Sequence, residues 1–317
     1  MIISRLLEGG LMTDQINVFC IKTVHRDYGG GPIQDEFDSN EFYLDTHVME
    51  LKNQLDQRFK RNIRFFCLTN ESTISSPDVN LMDVSKYDMW GWWNKMLLFK
   101  KPYTQPGLNI YIDLDTVIQR DITDIVQYAV HDKLTTIYCY FKPIDWERQA
   151  YPASGFNPFF KHVTLMNSSF MMWYDDELEF IWNQFRQDMD KHMVVLRGND
   201  EYLNLYHKDI LNFFPRGIFY SFFYGAEEGS EFFPKDKDAF KQRPEYFVRM
   251  LNGYGKKKHR VHAHFAESGD PVPLDYKVKS TVARELRQIF DDEGIRTDED
   301  GKPIELTYNK VGLEVST

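Results

Sequence analysis

Short apolar runs alternate with longer amphipathic segments through the first part of the chain, and that order leaves few architectures open. INVFCIKTV at 16–24 has the continuous apolar character of a strand buried on both faces, and HRDYGGGP ends it with glycines and a proline. The segment 45–59 then spaces Val48, Leu51 and Leu55 along one helical face, and RFFCLTN at 64–70 is a second buried strand. A helix over 91–100 and the run LNIYIDLDTVI at 108–118 repeat the pattern. Strand, helix, strand in succession predicts an α/β domain with a mostly parallel central sheet flanked by helices. Further strands are expected at 134–141, 163–173 and 259–265, with helices at 175–190 and 199–208. Between the first two of these strands lies a loop rich in proline, glycine and aromatic residues.

Composition agrees with a folded core. Aromatic residues make up 15% of the 317, which argues against general disorder. The formal charge of −10 disfavours broad attraction to nucleic acid, which needs clustered positive charge. Cys20, Cys67 and Cys139 form no metal-binding pair and read as buried thiols in a reducing compartment. No run approaches the roughly 18 apolar residues of a membrane span, and the N-terminus lacks the features of a secretory leader, so a soluble, cytoplasmic protein is expected.

One run carries chemistry. In YIDLDTVI, Asp113 and Asp115 are two residues apart, so in an extended strand both carboxylates face one way while Leu114 faces the core. Two acids at a sheet interior need neutralising. A divalent cation does this, since carboxylate oxygens suit Mg²⁺ or Mn²⁺ and the remaining coordination sites take phosphate and water. The alternative is structural: the pair ends a strand and begins the next turn, aided by Thr116 and Asp121.

The string YDMWGWWNKMLLFKKP, followed about ten residues later by IYIDLDTVIQRDITDI, resembles the central signature of GT-A glycosyltransferases. The likeness is to the glycogenin and galactosyltransferase-like group with its bacterial and phage relatives, and spans roughly 15–275. It implies a Rossmann-like GT-A domain over 15–278, after a tail at 1–14; beyond it the character changes, and Val282, Leu286 and Ile289 at helical spacing with two later β-like stretches mark 279–317 as a helical and β extension through which the chain could oligomerise. It also implies a metal-dependent transferase that takes a nucleotide-sugar, UDP-linked as first guess, to a glycan, protein or other acceptor, with retention favoured. For a phage protein the compartment would be the host cytoplasm.

Site residues follow from the same resemblance. Asp113, Asp115 and His264 would hold Mn²⁺ or Mg²⁺, with His262 in HRVHAHF as the reserve ligand. Thr23, Lys95, Asp113, Asn167 and Ser168 would contact the donor. Lys95 would balance diphosphate charge, its alternative being a solvated helix lysine. RGNDEYLNLY resembles a family segment beside the reacting sugar, so Asp200 and Glu201, together with Asn167, are the catalytic candidates; acids there would equally favour a helix N-terminus.

Departures from the pattern concern the end of the core. FAESGDPVP puts Glu267 and Asp270 where the family carries small or basic residues, leaving the diphosphate lysine in question, with 256–258 or Lys277 as substitutes. Two alternatives follow. A sugar nucleotidyltransferase shares the cation requirement, but no R-x-x-P-K pattern accompanies GGGP. A non-catalytic sugar-binding protein would have kept the fold and lost the chemistry, which the intact aspartate pair opposes.

Overall fold

A computed structural model describes residues 15–23, 43, 45–70, 74, 76–87, 89, 91–139, 165–196, 198–222, 225–226 and 241–251, and the backbone of 306–309 and 312–315. The elements in chain order are β1 (Ile16–Lys22), α1 (Asp45–Arg58), β2 (Ile63–Thr69), β3 (Asn80–Asp83), a 3₁₀ helix at Gly91–Phe99, β4 (Leu108–Ile112) and β5 (Thr116–Ile118). There follow a second 3₁₀ helix at Thr123–Tyr128, β6 (Leu134–Tyr138), β7 (Met166–Tyr174), α2 (Glu179–Phe185), α3 (Met189–Val195) and α4 (Asn199–Tyr206). After a short 3₁₀ turn come β8 (Leu211–Phe213), β9 (Phe219–Ser221) and β10 (Val248–Met250), and then β11 (Leu306–Asn309) and β12 (Gly312–Val315).

Seven strands form the main sheet in the order β3-β2-β1-β4-β7-β6-β8. β7 alone runs against its neighbours β4 and β6, and the remaining pairs are parallel. The expectation of an α/β fold with a mostly parallel sheet is met. The pleat sorts side chains between two cores. Val18, Cys20, Ile110 and Ile112 pack with Val48, Leu51 and Leu55 of α1, while Phe19, Ile21 and Tyr111 face the 3₁₀ helix, α2 and α4. On the second face Trp173 is 1% exposed and stands near Phe19 and Phe99, where truncation to Ala costs about 3–5 kcal/mol.

Buried amides fasten the entrance to β4. Asn109 receives a hydrogen bond from the Gln105 amide and donates to the carbonyls of Gln105, Gly107 and Asp175. Asn17 donates to Pro106. A loop that would otherwise leave backbone groups unpaired is thereby held at the start of the central strand.

Several elements differ from the sequence reading. The single strand expected at 108–118 is two: β4 ends at Ile112, a turn closes from the Thr116 amide to the Asp113 carbonyl at 3.2 Å, and β5 leaves the main sheet to pair antiparallel with β10. The helix expected at 91–100 is 3₁₀ in type, and seven of its nine residues are buried, so packing outweighs the ordinary preference for the α form. The helix at 175–190 divides into α2 and α3. The strand at 259–265 and the helix of the C-terminal extension lie outside the described residues. In that extension β11 and β12 form an antiparallel pair, matching two short β-like stretches of the sequence.

Candidate active site

The site begins where β4 ends. Parallel strands carry their ligand-binding crevices beyond their C-terminal edge, and β1 and β4 both deliver polar residues there. Asp113 follows the last residue of β4, and its amide still completes the ladder by donating to the Ser169 carbonyl at 2.9 Å. Its carboxylate is gripped from the second face of the sheet. The Lys95 ammonium lies 2.8 Å from Oδ1 and 2.9 Å from Oδ2, and the Tyr111 hydroxyl donates to Oδ1.

Lys95 is 7% exposed, which excludes the solvated helix lysine. Burying an ammonium costs several kcal/mol unless its donors are satisfied, and here they are. Besides Asp113 it reaches Ser168 Oγ at 3.1 Å and the Ser168 carbonyl at 3.5 Å, with the Tyr111 ring 5.1 Å away. Burial first, then the negative charge of Asp113, pushes the Tyr111 hydroxyl well above its usual range, so it stays a donor.

The reversed strand β7 and the start of α4 close the other side. Asn199 Nδ2 donates to Ser168 Oγ at 3.0 Å, and Asp200 Oδ1 accepts from the Ser168 amide at 3.2 Å. Asn167 Oδ1 accepts from the Ser169 amide at 3.0 Å. Asp200 lies in the first turn of α4, where negative charge is favoured, and it fixes the backbone of β7. Glu201 is 3% exposed.

Asp115 sits in the turn and is 6% exposed. The two acids do not alternate along one extended strand, as the sequence reading had them, because the chain turns between β4 and β5. The half-buried Tyr43 hydroxyl is pushed well above its usual range by burial, then by the charges of Asp115 and Asp113, and it hydrogen-bonds Asp115. Leu114, 1% exposed, anchors the turn in the core on the α1 side, as expected.

The structure therefore brings Lys95, Asp113, Ser168, Asn167 and Asp200 into one connected cluster with Asp115 beside it. Thr23 joins at its margin, its Oγ1 3.4 Å from Asn94 Nδ2. His262 and His264 lie outside the described residues, as do Glu267, Asp270, Lys277 and 256–258. Among the described residues no group of three His, Cys, Asp or Glu could hold a metal ion. Sequence reasoning missed Tyr111, Tyr43 and the bond from Asn199 to Ser168. Tyr111 carried a usable signal, being two residues before Asp113 and so on the same side of the strand. The other two are long-range contacts with no local signature.

No family model and no curated protein matches the sequence. The chain is similar to several solved structures at low identity. An active-site mutant of LgtC is 12% identical over 82% of this chain and 99% of that one, with a TM-score of 0.49. The galactosyltransferase LgtC with donor and acceptor sugar analogues is 11% identical over the same shares, with a TM-score of 0.45. The glycosyltransferase GlyE of Streptococcus pneumoniae is 12% identical over 66% of this chain and 47% of that one, at 0.41. At these values the likeness settles no residue's role. Among the described residues no helix is long and apolar enough to cross a membrane.

Proposed function

We propose that the chain is a metal-dependent glycosyltransferase that moves a sugar from a nucleotide-sugar, a UDP-sugar being the first donor to try, to an acceptor hydroxyl. The observation that carries this reading is the Lys95–Asp113 pair at the exit of β4, with Ser168, Asn167 and Asp200 adjoining and Asp115 in the turn that follows. The sequence resemblance to GT-A enzymes points the same way.

The acids fit a hard cation, which one or two carboxylates plus phosphate oxygens suffice to hold. Asp113 and Asp115 would bind it, with His264 as the third ligand implied by the resemblance. The cation would supply charge to the leaving diphosphate. Lys95 pairs with Asp113 and Ser168, and the cation would have to share the Asp113 carboxylate with it. Counting formal charges, Asp113, Asp115 and Lys95 together carry one net negative charge. A diphosphate approaching them alone is repelled, so nucleotide binding should require the metal. Asn167, Ser168 and Asp200 then offer polar groups to the sugar from β7 and α4.

The test is incubation with UDP-sugars and Mn²⁺ and detection of the released nucleotide. Free UDP is the expected product, whereas consumption of added pyrophosphate with formation of UTP and a sugar 1-phosphate would indicate nucleotidyl transfer. Asp115→Asn should abolish turnover and the stabilisation by Mn²⁺ with UDP. Unchanged turnover in that variant, or UDP binding at full strength without metal, overturns the reading.

A further inference from the structure

Trp92 is 40% exposed, one of a few large apolar side chains so placed among the described residues. Isolated exposed apolar groups are ordinary and need no function. Leu81, Val130, Phe180 and Tyr206, the others, stand on different elements from Lys95. Trp92 shares the 3₁₀ helix of Lys95, three residues earlier, and side chains three apart eclipse one another along such a helix with about 6 Å between them. Trp92 therefore stands one turn before Lys95, whose ammonium holds Asp113. The adjoining Asn94 contacts Thr23 after β1, which places this end of the helix beyond the C-terminal edge of the sheet.

A second observation fixes the indole. A Cβ on Gly198 would lie 2.4 Å from Trp92 Nε1 and 2.6 Å from Cδ1, so the absence of a side chain there lets the ring edge rest on the chain entering α4. The next two residues, Asn199 and Asp200, hold Ser168. The indole is thus braced along one edge by a segment of the site while much of its surface meets solvent.

A pyranose ring presents hydroxyls around its rim and a patch of C–H groups on a face. Its recognition calls for a flat aromatic surface beside hydrogen-bonding groups, the usual composition of small-molecule sites. Trp92 beside the first turn of α4, where Asp200 is half-buried, supplies both. Resting on the transferase reading above, we propose that Trp92 is the platform on which a sugar ring lies in this site, contributed by donor or acceptor.

The test follows the Trp92 indole N–H resonance in the full nitrogen-labelled chain, assigned by its loss in Trp92→Phe. The probes are UDP with Mn²⁺, UDP-glucose and UDP-galactose with Mn²⁺, and separately free maltose, lactose and cellobiose. The expected result is a shift with a sugar-bearing probe that UDP does not reproduce. Trp92→Ala should bind that probe about tenfold more weakly, Trp92→Phe should keep most of the affinity, and UDP affinity should be the same in all three proteins. A response to a UDP-sugar assigns the ring to the donor, and a response to a free saccharide assigns it to the acceptor. If UDP binds and no sugar moves the resonance, or Trp92→Ala binds sugar as wild type does, the platform is overturned while the transferase reading stands. If neither UDP nor any UDP-sugar binds, the transferase reading fails, and the free saccharides alone decide for or against the platform.

Discussion

Both carboxylate oxygens of Asp113 lie within 2.9 Å of the Lys95 ammonium, so the acid best placed for a cation is already paired within the chain. Lys95 and Asp113 are 9% and 18% exposed in their side chains, which makes this a largely buried pair and costly to break from one side. Lys95→Ala is expected to lower stability by about 3 kcal/mol, because it leaves the buried Asp113 carboxylate without its counter-ion. Lys95→Ala with Asp113→Ala should cost less than the sum of the singles by about 1–3 kcal/mol, measured by urea unfolding. Additive effects would show the pair to be uncoupled.

Added Mn²⁺ should therefore stabilise the protein more steeply in Lys95→Met than in wild type, since the metal no longer competes with an internal ammonium for Asp113. Thermal unfolding against Mn²⁺ concentration measures this. A weaker metal response in the variant would mean that Lys95 supports the site and does not compete for it.

Gly198→Ala isolates the contact with Trp92. The backbone at Gly198 has φ 164°, an extended conformation open to any residue, so the methyl group is opposed only by its neighbours. A loss of about 1–2 kcal/mol is expected in wild type and nearly none in a Trp92→Ala background, read from chemical unfolding. Equal losses in both backgrounds would mean that the indole is not what occupies the space.

His207 predicts an acid-labile fold. It is 6% exposed, its Nε2 has no hydrogen-bond partner among the described residues, and burial lowers its pKa to about 4. The unfolded chain takes up this proton near pH 6.5, so stability is full above that value and falls as the pH drops, by about 2 kcal/mol at pH 5 and about 3 below pH 4. His192, also lowered by burial, adds in the same direction. Urea unfolding at several pH values should show a shallower acid limb in His207→Phe than in wild type.

The thiols should be silent in the native state. Cys20, Cys67 and Cys139 are buried and in no disulfide, and Cys20 faces Cys67 across β1 and β2, with burial and then Cys67 raising its pKa. A thiol-reactive dye at mildly alkaline pH should label none of the three until denaturant is added, because attack needs both access and thiolate. Labelling of the folded protein would contradict this packing.

The sequence by itself determined the sheet and most of its order of elements. Val48, Leu51 and Leu55 at helical spacing, and continuous apolar runs at β1, β2 and β4, are local patterns whose burial follows from periodicity alone. It also marked the two acids, since carboxylates inside an apolar run demand a partner wherever the chain places them. Only the tertiary structure decided what that partner is and how the run is shaped. The turn at 113–116 arises because β5 finds β10 more than a hundred residues later, and Asp113 meets Lys95 because the reversed strand β7 sets Ser169 against Asp113 and Ser168 against Lys95. Contacts between residues this far apart depend on how whole elements pack, and no local pattern of residue types encodes that.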